Sequence, residues 1–189
     1  VAGGEALVVL ECASALEVFT DPATGAPRLA CGDGYEEVSV FDPVAGGEAL
    51  VVISVGFDVN ALAFFTDPAT SAPRLACGCV DGEIRIYNPI AGGKALVVLE
   101  GGSSSMVIFK DPATGGLRLA SGSDDGSVRV WDLAAGGAAL FVLEGHTDNV
   151  NALTAFVNPA TGEMRLVSGA EDKTLRVWDA SKGGVALRV

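Results

Sequence analysis

The sequence predicts an all-β protein built from small, repeated sheets of four antiparallel strands. The first observation is internal repetition: copies of one motif begin at Val1, Val44, Ile90, Ala134 and Ser181 of the 189-residue chain. The second is composition, because 25 glycines and 8 prolines punctuate short apolar segments at regular intervals. Frequent turns between short segments favour strands over helices.

Three blocks recur in phase within each repeat. The first is VAGGEALVV, which occurs at Val1 and again unchanged at Val44. The second is FTDPATGAPRLACG from Phe19, and the third is VSVFD, which later becomes VRVWD and LRVWD. Each block has the alternating or apolar pattern of a strand, and the gaps carry turn-forming Gly, Pro, Asp or Asn.

The last complete repeat predicts four strands, at residues 139–143, 150–156, 164–169 and 174–178. The segment NPATG between the second and third strands predicts a turn, since Pro fixes φ and Gly tolerates a positive φ. Helical solenoids of similar period need long segments with helical spacing, and the Gly and Pro breaks leave none.

A four-stranded sheet of this size cannot bury both of its faces alone, so neighbouring sheets must cover one another. Radial packing around an axis accomplishes this in a β-propeller. We therefore predict a single propeller domain over residues 1–189. Its repeats span residues 1–43, 44–89, 90–133 and 134–180, and residues 181–189 form the outer strand of the last blade.

The last repeat, with EGHTDNVNAL at residues 144–153 and SGAEDKTLRVWD at residues 168–179, resembles a WD-repeat blade. In that family each repeat begins with the outermost strand of the preceding blade. The resemblance therefore implies four blades and one additional strand at residues 6–10. Four blades form a small closed ring, an arc of a larger ring or half of a two-chain ring. We favour a partner or missing blades that cover the exposed ends.

The resemblance also implies a structural hydrogen-bond network in the last blade, formed by His146, Ser168, Asp172 and Trp178. Buried imidazole, hydroxyl and indole groups need partners and can satisfy one another. The earlier repeats retain fewer of these residues, since Gly101, Gly102 and Ser103 replace the Gly-His loop in the third. The remaining members there and in the second repeat are Ser121, Asp125, Trp131 and Asp81.

Propellers of this family bind partners mainly through the rim around the axis. The resemblance places seven small, polar or acidic side chains at that rim. They are Asp58, Asn60, Ser104, Asp124, Asn149, Asn151 and Glu171.

We predict a non-catalytic protein-interaction scaffold or structural subunit, with no cofactor and no metal. His146 is the only histidine, and no second His or Cys pair gives metal-ligand spacing. Ser168, His146 and Asp172 contain the residue types of a nucleophilic triad, but the family pattern buries them. The alternative is a propeller that binds a carbohydrate or small molecule between blades. The repeated Phe of the second strand, its one recurring aromatic, alternates inward as a core residue would.

The formal net charge of −12 disfavours direct binding to nucleic acid and fits a basic protein surface. No leader peptide or membrane-spanning segment is evident in the sequence. Cys31 and Cys77 occupy the position of Ser121 and Ser168, so we expect reduced, buried thiols. That expectation favours an intracellular and cytoplasmic protein.

Overall fold

The computed structural model describes residues 9–10, 15–32, 34–102 and 104–187. Every strand in this part of the chain belongs to one of four antiparallel sheets, which we call blades 1 to 4. No helix within the same residues is long and apolar enough to cross a membrane. Blade 1 contains β1 (Ala15–Thr20), β2 (Pro27–Gly32), β3 (Glu37–Phe41) and β4 (Val51–Ser54), and blade 2 contains β5 (Val59–Thr66), β6 (Pro73–Cys79), β7 (Glu83–Tyr87) and β8 (Val97–Glu100). Blade 3 contains β9 (Ser105–Lys110), β10 (Leu117–Gly122), β11 (Val128–Asp132) and β12 (Phe141–Leu143). Blade 4 contains β13 (Val150–Val157), β14 (Met164–Ala170) and β15 (Leu175–Asp179).

Strands within each blade follow one another in chain order, and each pairs with the next. The motif that opens a sequence repeat supplies the outer strand of the preceding blade, as the family resemblance implies. Leu50 N donates to Val40 O at 2.7 Å where this strand joins blade 1. Leu187 N makes the equivalent 2.7 Å bond to Val177 O, so residues near 187 begin the outer edge of blade 4. The predicted strand at residues 6–10 lies largely outside the described residues.

The turn between the first two strands of each blade reads Asp-Pro-Ala-Thr in blades 1 to 3 and Asn-Pro-Ala-Thr in blade 4, and the side chain of its first residue closes it. Asp21 Oδ1 accepts from Ala23 N at 2.9 Å, and Asp21 O accepts from Gly25 N at 2.8 Å. Gly25 has a φ of 72°, a conformation that glycine adopts without a Cβ clash. The recurrence of this turn gives the first two strands of every blade the same register beside it, so that the repeated Phe always pairs with the repeated Arg.

Each blade has two faces, and the pleat decides which residues occupy them. We call the face toward the next blade the forward face and the opposite one the backward face. Phe19 lies on the forward face of blade 1, and Leu75 and Tyr87 lie on the backward face of blade 2, all in one buried cluster. Two further clusters join blade 2 to blade 3 and blade 3 to blade 4. The core of the protein is therefore three inter-blade layers.

The four blades form an open arc, because the forward face of blade 4 and the backward face of blade 1 remain exposed. Leu175 is 67% exposed, whereas its repeat equivalents in the other blades are fully buried. The repeated Phe is buried in blades 1 to 3, but Phe156 in blade 4 is 44% exposed. Our prediction that this Phe is a core residue is therefore wrong for blade 4, since no following blade covers it.

Candidate functional site: a buried histidine network and an acidic rim

His146, Ser168, Asp172 and Trp178 form one connected hydrogen-bond network in blade 4. His146 comes from the loop between β12 and β13, Ser168 from β14, Asp172 from the β14–β15 turn and Trp178 from β15. His146 Nε2 lies 2.7 Å from Ser168 Oγ, and His146 Nδ1 lies 2.8 Å from Asp172 Oδ2. Trp178 Nε1 donates to Ser168 Oγ at 2.7 Å.

One assignment of protons satisfies every member of the network. Trp178 donates to Ser168, Ser168 donates to Nε2 of His146, and Nδ1–H of His146 donates to the carboxylate of Asp172. Burial by itself would raise the pKa of Asp172, but hydrogen bonds from Thr174 and His146 outweigh burial and hold that pKa well below its usual range. The anchored carboxylate fixes the imidazole and hence the loop that carries it.

The same geometry has the connectivity of a Ser-His-Asp triad, but it does not provide an accessible nucleophile. Ser168 is fully buried, and the side chain of His146 is also fully buried. The indole N–H of Trp178 is directed at the Ser168 oxygen that would attack a substrate. A nucleophilic serine needs an open position beside it for the reacting carbonyl. The arrangement therefore fits a structural role.

Blade 3 does not bring its equivalent residues together. Ser121 is fully buried and donates to Gly102 O at 2.5 Å. Trp131 is also fully buried, but its Nε1 has no hydrogen-bond partner among the described residues. Gly102 stands in place of His146, and a Cβ there would come within 2.6 Å of Ser121 Oγ. The loop has therefore closed over the space that an imidazole would need.

Asp125 and Asp81 bind arginines instead of a histidine. Arg129 Nη2 donates to Asp125 Oδ2 at 2.7 Å, and Arg85 Nη2 donates to Asp81 Oδ2 at 2.7 Å. Neither arginine was predicted from the sequence, although the repeated Asp-x-x-x-Arg spacing across a tight turn was the available signal. Hydrogen bonds from Arg85 lower the pKa of Asp81, which opposes the effect of burial.

The predicted rim residues lie along one edge of the blades, where the innermost strands begin. We call this edge the acidic rim. Glu171 N donates to Asn149 O at 3.0 Å, and Ser104 Oγ donates to Asp124 Oδ1 at 2.7 Å. In both blades a residue before the first strand therefore lies next to a residue of the turn between the second and third strands. The acidic rim comprises Asp58, Asn60, Ser104, Asp124, Asn149, Asn151 and Glu171, of which all but Ser104 and Asn149 are classed as exposed.

Two further exposed residues lie next to members of the acidic rim and extend it, and neither was predicted from the sequence. Asp148 is exposed and precedes Asn149. Phe57 precedes Asp58, is 40% exposed, and has the guanidinium of Arg85 4.7 Å above its ring centroid. Phe57 is a single aromatic residue in a loop, so comparison of the repeats did not single it out.

The described residues contain no group of three or more His, Cys, Asp or Glu side chains that could hold a metal ion. Cys77 and Cys79 are free and buried, and burial raises the pKa of each thiol. Cys31, however, is disulfide-bonded, which corrects our expectation of a reduced thiol at that position. Cys12 lies outside the described residues. The intracellular location stays a prediction.

Comparison with protein families matches two segments of the chain, residues 102–132 and 137–179, to "WD domain, G-beta repeat". These segments are the third and fourth sequence repeats, which retain the Trp-Asp pair. Comparison with curated protein sequences gives no match. Residues 102–132 and 137–179 thus match WD repeats, and the described residues form an all-β arrangement of propeller blades.

Three solved structures are similar to the chain in fold. The computationally designed Ika4 protein is 28% identical with a TM-score of 0.66, covering 94% of this chain and 99% of its own. Sqt1 of Saccharomyces cerevisiae is 19% identical with a TM-score of 0.68, over 87% of this chain and 44% of Sqt1. A chain of an active polycomb repressive complex 2 in the basal state is 21% identical with a TM-score of 0.67, over 87% of this chain and 36% of its own. The described residues thus form four blades of the β-propeller fold, and the chain spans less than half the length of these last two chains.

Proposed function

We propose that this protein is a non-catalytic interaction scaffold that binds a basic segment of a protein partner through its acidic rim. WD40 repeats generally serve as protein-interaction scaffolds, and one of the similar chains is part of polycomb repressive complex 2. The observation that carries the proposal is the concentration of exposed carboxylates along one edge of three successive blades. They are Asp58, Asp124, Asp148 and Glu171.

The surrounding charge strengthens the field at this edge. The chain has a formal net charge of −12, so attraction to a cationic segment is reinforced by the whole molecule. Ser104 holds the Asp124 carboxylate at 2.7 Å, which limits the side-chain freedom that binding must remove. Phe57 adds a partly exposed apolar ring beside Asp58; Arg85 covers one face of the ring, and the exposed part is suited to the aliphatic stem of Lys or Arg.

Other function classes receive less support. Nucleic-acid phosphates would be repelled by the same carboxylates. A serine hydrolase would need access to Ser168, which is fully buried. For the sugar-binding alternative, a groove of about 350 Å³ lies between blades 3 and 4, lined by Asp111, Thr161, Glu163 and Met164 among others. No aromatic ring is among its described lining residues, so a stacking platform for a sugar is missing there.

The proposal is tested with a lysine- and arginine-rich peptide as the probe, measured by fluorescence anisotropy at fixed low ionic strength. The triple variant Asp58→Asn, Asp124→Asn, Glu171→Gln removes three charges and keeps the side-chain shapes. We expect a loss of about threefold to 150-fold in affinity, because exposed ion pairs contribute roughly 0.2–1 kcal/mol each.

A matched control removes three exposed charges elsewhere, through Glu48→Gln, Glu100→Gln and Glu144→Gln. This control variant has the same net charge as the rim variant. If both variants bind the peptide equally well, the attraction comes from net charge and the rim is not the binding surface.

A further inference from the structure

The two ends of the arc expose faces that are buried at every internal junction. We call them the forward end face and the backward end face. Leu16 and Val18 are 64% and 66% exposed on the backward end face. The forward end face includes Thr154, Phe156, Val167, Leu175 and Val177, all at least partly exposed.

Repetition makes these two faces complementary to each other. At the junction of blades 1 and 2, the ring of Phe19 stacks on Phe64 with centroids 4.7 Å apart and an angle of 11° between planes. Phe156 is the repeat equivalent of Phe19, and Val18 is the repeat equivalent of Phe64. The forward end face thus holds one half of an internal junction, and the backward end face holds the other half.

We propose that a second copy of this chain covers both end faces, so that two arcs join head to tail and close one ring. Each copy carries both halves of the junction, and the two-fold arrangement forms two identical junctions with no end face left exposed. Two such arcs together hold eight blades, which lies within the usual range of about four to eight blades in a complete propeller. This inference goes beyond rim binding, since it concerns different residues and a different partner.

Burial of these faces supplies the driving force. The repeat equivalents of Leu175 in the other three blades are fully buried between blades. A junction with a second copy would bury Leu175 in the same kind of site. The net charge of −12 on each copy opposes association, and salt screens that repulsion. We therefore expect association to strengthen with added salt, opposite to the expected effect of salt on peptide binding at the acidic rim.

The test measures the mass of the 189-residue chain by sedimentation equilibrium over a wide concentration range. We expect a species of twice the chain mass of 19.1 kDa. Leu16→Glu on the backward end face and Leu175→Glu on the forward end face place a charge in both junctions of the ring. Each substitution is expected to raise the dissociation constant about 100-fold or more, because a buried unpaired charge is costly. Leu96→Glu is the matched control, since Leu96 is 53% exposed near the outer edge of blade 2 and belongs to neither end face.

Mixing the two variants distinguishes head-to-tail contact from any self-paired dimer. The intact forward end face of the Leu16→Glu chain can bind the intact backward end face of the Leu175→Glu chain. We expect a one-to-one complex in the mixture at concentrations where each variant alone is monomeric. Unchanged circular dichroism spectra establish that both variants are folded.

Three outcomes overturn the proposal. A wild-type chain that stays at 19.1 kDa throughout means that something other than a second copy covers these faces. A mixture that does not associate excludes head-to-tail contact. An open-ended series of larger species shows that the junctions form without closing a two-chain ring. Peptide binding to the acidic rim is measured separately, so failure of either proposal is distinguishable from failure of the other.

Discussion

Replacing Ser168 with Ala should destabilise the protein much more than the same substitution at Ser121. Both serines are fully buried at equivalent positions on β14 and β10. Ser168 Oγ joins Trp178 Nε1 and His146 Nε2, each at 2.7 Å. Ser121 Oγ is not bonded to the equivalent Trp131, so the two sites differ in their hydrogen bonds and not in their burial.

The expected magnitudes follow from the number of buried groups that each substitution leaves without a partner. Ser168→Ala strands the indole N–H and the imidazole nitrogen, so we expect a loss of about 2–4 kcal/mol in the free energy of unfolding. Ser121→Ala removes the hydrogen bond to Gly102 O. Its expected cost is about 1 kcal/mol, since the freed carbonyl is one weakly penalised acceptor.

Equilibrium urea unfolding monitored by far-ultraviolet circular dichroism measures both values under identical conditions. A double-mutant cycle with Trp178→Phe should give a coupling energy of about 1 kcal/mol with Ser168→Ala. The corresponding cycle of Trp131→Phe with Ser121→Ala should give a coupling near zero. Equal losses for the two serine variants, or equal coupling in both blades, would refute the argument that the network in blade 4 is a separate source of stability.

Two further predictions concern pH and packing. Hydrogen bonds hold the pKa of turn carboxyls such as Asp67 and Asp111 below their ordinary values, so the unfolded chain binds protons first on acidification. We expect the urea midpoint to stay level from pH 7 to pH 5 and to fall below about pH 4; a midpoint that rises on acidification to pH 3.5 would contradict this sign. Gly122→Ala places a Cβ 2.3 Å from the carbonyl oxygen of Val150 across the blade 3–4 junction, whereas nothing lies within 4 Å of a Cβ at Gly34. The melting temperature should drop for Gly122→Ala, by several degrees more than for Gly34→Ala, and equal shifts would show that the close approach is unimportant.

Much of the local structure was predictable because local chemistry repeats along the chain. Strand positions in the last repeat followed from the alternating pattern, and β13 begins at Val150 as predicted. Asp58, Asp124 and Glu171 were assigned to one edge of the blades from their positions within the repeat, whereas Asp148 was not; that these residues bind a partner stays a prediction. Arg85 and Arg129 were not predicted as partners of Asp81 and Asp125, because an arginine on a strand is also compatible with plain solvent exposure.

Turn residues and a two-residue pleat act over short distances, so the number of blades in the chain, their order and the pairing of strands were predictable from the sequence. Whether equivalent residues meet depends on the tertiary structure. Trp131 and Trp178 occupy the same position in their repeats, yet the indole N–H of Trp178 is bonded and that of Trp131 has no partner among the described residues. Phe109 and Phe156 differ in the same way, since one is buried by the following blade and the other is exposed. Burial and hydrogen bonding depend on what the neighbouring blade and loop supply, and that information is not contained in the repeat itself.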